Sequence, residues 1–305
     1  MNPRILVIGS ANTDMVIKAE RLPSPGESII GERFEIFAGG KGANQAVAAS
    51  RAGGSVTFLG AVGQDAFGEQ TAANLARDAI DTSLLKAVPG VASGVALIIV
   101  GKEGENLIAV APGANLHLTP QDLERVDFSR YGTILLQLEI PLDTVEAAIV
   151  RAQAAGCRVI LNPAPSVRVP EGLLNGIDIL VPNRGELALL SGQPVETEAD
   201  LLSAARGLHQ HQGVRWVIVT LGAMGALWFD GAATHRQAGL RVAAVDTVGA
   251  GDCFIGALAA ALGQGRAMPE ALSFASAAAA LSVQKPGAQP SFPTEPEILR
   301  MAHQD

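Results

Sequence analysis

Short unbroken apolar runs alternate along this chain with longer stretches in which apolar residues recur every three or four positions. The runs read as buried strands: Arg4 to Ile8, Val56 to Val62, Thr133 to Leu138, Val159 to Leu161, Ile177 to Val181 and Trp216 to Thr220. The periodic stretches read as helices. They are Gly42 to Ala52, which Gly53 and Gly54 would end, Asp65 to Ile80, capped by Asp65, Leu142 to Ala155, Gly185 to Leu190, Glu198 to His211, Ala250 to Leu262 and Pro269 to Lys285. Strands and helices taking turns in this way predict an α/β fold in three layers, a mostly parallel central sheet with helices over both faces.

Two stretches break the rhythm. Between Met15 and Phe37, and again between Gly94 and Val110, short β-type segments (Val16-Ile17, Ile29-Ile30, Phe34 to Phe37, Val95 to Val100, Leu107 to Val110) are separated by turn residues. They predict a small antiparallel β patch that acts as a lid over the ligand edge of the main domain; the plainer reading is an edge extension of the main sheet. The expected division is a body of residues 1–14, 38–93 and 111–305 and a lid of residues 15–37 and 94–110.

Composition narrows the class. With 305 residues, 48% hydrophobic and 17% charged, the chain has enough apolar material for a core without disulfide or metal staples. Its formal charge of -8 and the absence of any Lys/Arg cluster argue against nucleic acid as a partner. Cys157 and Cys253 are far apart, with no second Cys or His at ligand spacing, so neither a disulfide nor a zinc site is expected and a reducing cytoplasm fits best. Ile5 to Ile8 is too short for a signal peptide, and Ala271 to Val283 falls short of the roughly 20 residues needed to cross a bilayer.

Candidate chemistry concentrates where strands end and helices begin. Asp246-Thr247-Val248-Gly249-Ala250-Gly251-Asp252 runs straight into an apolar helix, where uncovered backbone N–H groups and the helix dipole favour an anion. Asp252 in the first turn suits phosphoryl transfer, accepting the proton of an attacking hydroxyl while amides hold the moving phosphoryl group; it also fits a plain acidic residue at a helix start. The loop Gly39-Gly40-Lys41-Gly42-Ala43-Asn44 holds one of five lysines and is not a Walker loop, because position 35 is Glu35 and Gly42 follows the lysine. Its glycines would admit a small ligand, with Lys41 and Asn44 donating to it. Gly9-Ser10-Ala11-Asn12-Thr13-Asp14 lacks the glycines of a dinucleotide fingerprint, which weakens a dehydrogenase reading. Asn12 and Asp14, two apart on an extended segment, would face neighbouring hydroxyls of a polyol, Asp14 accepting and Asn12 doing both. Glu139, Asn162-Pro163-Ala164-Pro165, Asn183 with Glu186, and Thr220 to Gly225 each follow a predicted strand, the edge at which open α/β sheets bind ligands. The histidines have no partners at useful spacing, so no metal is assigned to them.

These segments together resemble the ribokinase family of ATP-dependent sugar kinases nearly end to end. Val62 to Gly68 and Lys285 to Ser291 add to the match; Gly-Ala-Gly-Asp is specific to the wider family, and Gly-Gly-Lys-Gly-Ala-Asn with Asn-x-Asp points toward pentoses. The resemblance implies that Asp252 is the general base and that the amides of Gly249, Ala250 and Gly251 form the anion hole. It puts ribose against Asn12, Asp14, Gly40, Lys41, Gly42, Asn44, Glu139 and Asp252, and ATP along Asn183, Thr220, Leu221, Gly222, Ala223, Met224, Gly225, Gly251, Asp252 and Ser276. Mg²⁺ would come with the nucleotide, helped through water by Asn183 and Glu186, and a monovalent cation, usually potassium, would sit among Asp246, Val248, Ser282, Lys285, Gly287 and Ser291. A homodimer paired through the lid is the family default. Lys285 stands where arginine is familiar, and Ser276 where a larger polar residue is. The rival readings are a relative acting on 2-deoxyribose, fructose or a nucleoside, and a non-catalytic sugar or nucleotide sensor.

Overall fold

The computed structural model of the chain describes residues 4–303. It opens with strand β1 (Arg4–Ile8) and passes at once into a second sheet through β2 (Asn12–Lys18) and β3 (Arg33–Gly39). Helix α1 (Lys41–Arg51), β4 (Val56–Leu59), β5 (Ala61–Gly63), α2 (Ala66–Arg77) and β6 (Lys86–Val88) follow, then β7 (Gly94–Val100) and β8 (Asn106–Ala111) of the second sheet. Alternation then sets in with β9 (Tyr131–Leu136), α3 (Leu142–Ala154), β10 (Arg158–Leu161), β11 (Ile179–Leu180), α4 (Arg184–Ser191), α5 (Glu198–Gln212) and β12 (Trp216–Thr220). A hairpin of β13 (Ala226–Phe229) and β14 (Thr234–Gln237) precedes α6 (Ala250–Gly263), α7 (Met268–Ser282) and α8 (Glu295–Ala302).

The main sheet has eight strands in the order β14-β13-β12-β11-β10-β9-β1-β4, parallel from β12 to β4 and antiparallel only at the β13 and β14 edge. Period-two alternation sorts each strand between two cores. Ile5 and Val7 of β1 join α1, α6 and α7 on one face, while Leu6 and Ile8 join α3, α4 and α5 on the other. The expected three layers are therefore present. Helix α6 is buried from Asp252 to Gly263 between α1 and α7, which explains its Ala and Gly content: a Cβ on Gly256 would come within 2.5 Å of the Gln45 carbonyl on α1.

The second sheet is separate from the first, ordered β3-β2-β7-β8, so the edge-extension reading falls. Its outer pairs are antiparallel, but β2 and β7 run parallel, because the two excursions leave the body from the same side. Ile29 and Ile30 belong to no strand; Ile30 is 96% exposed in the loop between β2 and β3. The single run expected from Val56 to Val62 breaks at Gly60, after which Ala61–Gly63 leaves the main sheet to pair with β6. The helix expected to reach Lys285 ends at Ser282, and the β13–β14 hairpin and α8 were not anticipated. No helix among the described residues is long and apolar enough to cross a membrane.

All the parallel strands end on one edge, so the segments after β1, β9, β10, β11 and β12 converge there with the first turns of α1 and α6.

Candidate active site

Helix α6 begins after Gly249, whose left-handed backbone (φ +75) suits glycine, and a Cβ there would press within 2.7 Å of the Ala288 side chain. The turn leaves the amides of Gly249, Gly251 and Asp252 with no partner among the described residues. This differs from the expected set in one member. Ala250 donates its amide back to the Thr247 carbonyl at 3.2 Å, and Asp252's own amide is the third open donor. Gly251 faces open space, with nothing within 4 Å of where a Cβ would stand.

Asp252 is buried beside this turn. Asn44 donates to its Oδ2 at 3.0 Å and Gln45 to its Oδ1 at 2.9 Å, one neighbour of α1 on each oxygen. Burial pushes the Asp252 carboxyl above the usual range, against the pull of Lys41 and these two amides. Asn44 is thereby less free for a ligand than its loop position suggested: its Oδ1 accepts from Gln289 at 3.0 Å, and one N–H is left over.

Asp14 lies on β2 over Gly39, where any Cβ would come within 2.2 Å of its carboxylate. Burial, then the nearby charges of Glu139 and Asp252, raise its pKa to about 6. Asn12, two residues earlier, is buried, and its Oδ1 accepts from Asn115 Nδ2 at 2.8 Å. That contact uses one lone pair of the Asn12 oxygen and leaves its N–H groups free to donate, while Asp14 supplies an acceptor.

Glu139 after β9 reaches across to the start of α1, which has no side-chain cap of its own. Its Oε2 accepts from Lys41 N at 3.1 Å and from Ser10 Oγ at 2.5 Å, so one oxygen caps the helix and the other is left for a ligand. Gly40 precedes this turn with φ +86, and Gly42 N points to Ser10 Oγ at 3.4 Å. Burial opposes charge on Lys41, but Asp252, Glu139 and Glu186 together hold its pKa above the ordinary lysine value. Among the described residues it makes no salt bridge, so its ammonium is available to a ligand.

On the other side of Asp252, Asn183 and Glu186 form a reciprocal cap at the start of α4: Asn183 Oδ1 accepts from Glu186 N at 2.9 Å and Glu186 Oε2 from Asn183 N at 2.8 Å. Burial raises the Glu186 pKa. Thr220 bridges to Asn183, and Leu221 N closes the following loop on Gly225 O at 2.8 Å, leaving Gly222, Ala223 and Met224 exposed. Ser276 on α7 is buried with its hydroxyl unpartnered, as a residue waiting for a ligand would be.

Asp246 ties the turn before α6 to the loop after α7. Its Oδ1 accepts from Val248 N at 3.0 Å and its Oδ2 from Gly287 N at 2.8 Å, and Val245 N donates to Val283 O at 2.7 Å. Ser282 and Ser291 are buried nearby and donate their hydroxyls to Ala279 O and Ala288 O, both at 2.8 Å; Lys285 N donates to Ser282 O at 3.4 Å. No group of His, Cys, Asp and Glu suited to a metal occurs among the described residues. An open cavity of about 1060 Å³ lies between the 167–175 loop and the ends of α4 and α5, and none of these residues lines it.

Residues 2–295 match the model of the pfkB family of carbohydrate kinases. The chain belongs to that family. Among curated relatives, the ribokinase of Haemophilus influenzae is 40% identical over 301 residues, covering 98% of each chain. The deoxyribokinase of Salmonella typhi is also 40% identical, over 293 residues and 95% of each chain. The solved structure of Arabidopsis thaliana ribokinase complexed with ribose and ATP superposes with a TM-score of 0.93 at 36% identity, covering 99% of both chains.

Sequence reasoning missed Ser10, Gln137, Asn115 and Gln289 and passed over the chemistry of Gln45. These residues hold the candidate side chains in place; Ser10 in the Gly9 to Asp14 turn, Gln45 beside Asn44 and Gln289 in the Lys285 to Ser291 segment carried a positional signal, and Gln137 and Asn115 carried none.

The raised Asp14 pKa has a consequence for stability. An acid whose folded pKa is about 6 and whose unfolded pKa is about 4 destabilises the fold when ionised, fully above pH 6 and not at all below about 4. Asp14→Asn is expected to stabilise the protein by about 2–3 kcal/mol at pH 7.5 and by little at pH 4, read from urea unfolding at both pH values.

Proposed function

We propose that this pfkB-family kinase transfers the γ-phosphoryl group of ATP to O5 of D-ribose, giving D-ribose 5-phosphate and ADP. The observation that carries the reading is the buried Asp252 carboxylate next to three open main-chain donors at the start of α6, in a chain that aligns over 98% of its length with a ribokinase. Asp252 takes the proton from the 5-hydroxyl, O5 forms its bond to the γ-phosphorus, and the bridging oxygen leaves with ADP. The amides of Gly249, Gly251 and Asp252 meet the charge on the transferring group, which is where preorganised donors help most. Asn12 donates to the sugar, Asp14 and the free oxygen of Glu139 accept from it, and Lys41, with Gly40 and Gly42 admitting the ring, supplies a cation among three carboxylates.

The nucleotide runs along Asn183, the Thr220 to Gly225 loop and Gly251 toward Ser276, whose buried hydroxyl has no partner. Mg²⁺ supplies charge neutralisation on the phosphates. The donor set fits it only through water, since Glu186 commits one oxygen to the cap of α4 and no other ligand cluster exists among the described residues. A monovalent cation suits the oxygen-rich turn of Asp246, Val248, Ser282, Lys285, Gly287 and Ser291, where carbonyls make the identity of the Lys285 side chain immaterial; potassium is our choice. We divide the chain into a body (1–14, 38–93, 111–305) and a lid (15–37, 94–110) that closes over the sugar. One lid face, opposite the one bearing Asp14, leaves Ile17, Phe34, Ile36, Leu97 and Leu107 between 39% and 56% exposed, which favours pairing with the lid of a second copy. Two unpaired thiols and the use of ATP suit the cytoplasm.

The deoxyribokinase relative favours 2-deoxyribose as the second reading. An ADP-release assay across ribose, 2-deoxyribose, fructose and nucleosides decides between them. We expect kcat/KM for ribose to exceed that for 2-deoxyribose by about tenfold or more, because Asp14 is left unpaired by a sugar lacking the hydroxyl it accepts from. Equal or reversed values would make 2-deoxyribose the substrate, and no turnover with any acceptor would leave a sensor. Asp252→Asn should lose about 10²–10⁴ in kcat with ribose affinity kept, as expected of a general base. Rates measured in potassium and in sodium test the cation site: potassium should be faster, and indifference to both would remove the site.

A further inference from the structure

We propose that Gln45 is a positioning residue that locks the Asp252 carboxylate, and that its own amide is set by a buried relay through Asn162 and Gln137. The inference rests on the reading of Asp252 as the base.

The relay is polar in one sense only. Val181 O, a main-chain carbonyl, can only accept, so Asn162 must give it Nδ2, at 3.0 Å, and turn Oδ1 the other way. Gln45 Nε2 then donates to that Oδ1 at 3.1 Å and to Asp252 Oδ1 at 2.9 Å, which uses both of its hydrogens. Gln45 Oε1 is left facing Gln137, whose Nε2 donates to it at 2.6 Å. A flip of the Gln45 amide would set oxygen against oxygen at Asn162 and Asp252 and nitrogen against nitrogen at Gln137. Gln45 and Gln137 are fully buried and Asn162 nearly so, so water cannot repair such a flip. Gln137 even leaves its Oε1 buried without a partner, so the structure uses this side chain for its donor end.

Nothing in this chain of amides touches the proposed positions of sugar or nucleotide, and all of it bears on the orientation and charge of one carboxylate. The charged groups acting on Asp252 are Lys41 at the start of α1, Glu139 after β9, Asp14 on β2 and Glu186 on α4, with the thiol of Cys253 beside it on α6. Gln45 adds no charge to this set. Its donation favours the ionised carboxylate, so its loss moves the acid limb of the rate profile upward.

The test is the pH dependence of kcat for Gln45→Met, a change of similar volume that removes the donor. We expect ribose and ATP affinities within about threefold of the parent, kcat at pH 7.5 reduced about 10- to 100-fold, and the acid limb shifted up by about one pH unit. Gln137→Met, which loosens Gln45 without removing its bond to Asp252, should shift the limb the same way by less. An unmoved limb with kcat within twofold of the parent would overturn the proposal, as would a loss confined to ribose affinity. Should Gln45→Met fail to fold by circular dichroism, Gln137→Met and Asn162→Leu decide: a limb unmoved in both rejects the relay. Asp252→Asn separates the two readings. If it keeps turnover the base assignment fails, whereas an inactive Asp252→Asn beside an unmoved limb in Gln45→Met fails the relay alone.

Discussion

The packing of α1 against α6 brings a carboxylate and its donors together where neither helix could do so alone. Asp252 enters from α6, Asn44 and Gln45 from α1, and the close approach of the two helices at Gly256 fixes the separation. A carboxylate taken out of water is pushed strongly toward its neutral form, so a site that needs it ionised must return some of what water gave. Here two side-chain amides and one lysine do so. Because the donors sit where the first turn of α1 passes into the second, anything that moves this helix start moves the carboxylate, and the start is held in place by Glu139 and Ser10 from two strand ends of the main sheet. The sheet edge, the helix start and the reacting group are thus one mechanical unit.

Charge around the site is unbalanced. The charges of Glu139 and Asp252 add to burial in raising the Asp14 pKa, Glu139 also raises that of Asp252, and Lys41 is the cation set against Asp252, Glu139 and Glu186. A site with this surplus of negative charge holds a proton on Asp14 near pH 6 and accepts hydroxyl hydrogens readily, which is the complement of a polyol and a poor match for a phosphate. The open amides of the α6 turn carry the opposite preference. On the proposed reading, hydroxyls and a phosphoryl group would therefore be drawn to different parts of the site.

The body of the fold was legible because its signals are periodic. Strand β1, helix α3 and strand β12 fall within a residue or two of where the apolar pattern puts them, since each buries a face and the face writes itself into the spacing. The lid strands were legible as β-type segments, but their parallel seam between β2 and β7 was not, because pairing partners 80 residues apart leave no local trace. The β13–β14 hairpin escaped because Thr234–Gln237 is an exposed edge strand with no apolar alternation to see. In the site, the candidate residues stood out because they cluster at strand ends and glycine turns. Residues that orient them did not. Gln137 and Asn115 are single polar positions inside ordinary-looking segments, and what they do depends on the direction of an amide in three dimensions.

That amides rather than cations do this orienting follows from what a base requires. A guanidinium or second lysine at the place of Gln45 would hold the carboxylate more strongly, but it would also lower its pKa and weaken it as a proton acceptor. A neutral donor fixes direction while leaving burial to keep the proton affinity high. The same logic applies to Asn44, whose amide is turned toward Asp252 by Gln289 just as that of Gln45 is turned by Gln137. Each oxygen of the carboxylate thus has one neutral donor, Asn44 backed by Gln289 and Gln45 by Asn162 and Gln137, so geometry is set without spending the basicity that the proposed proton transfer would need.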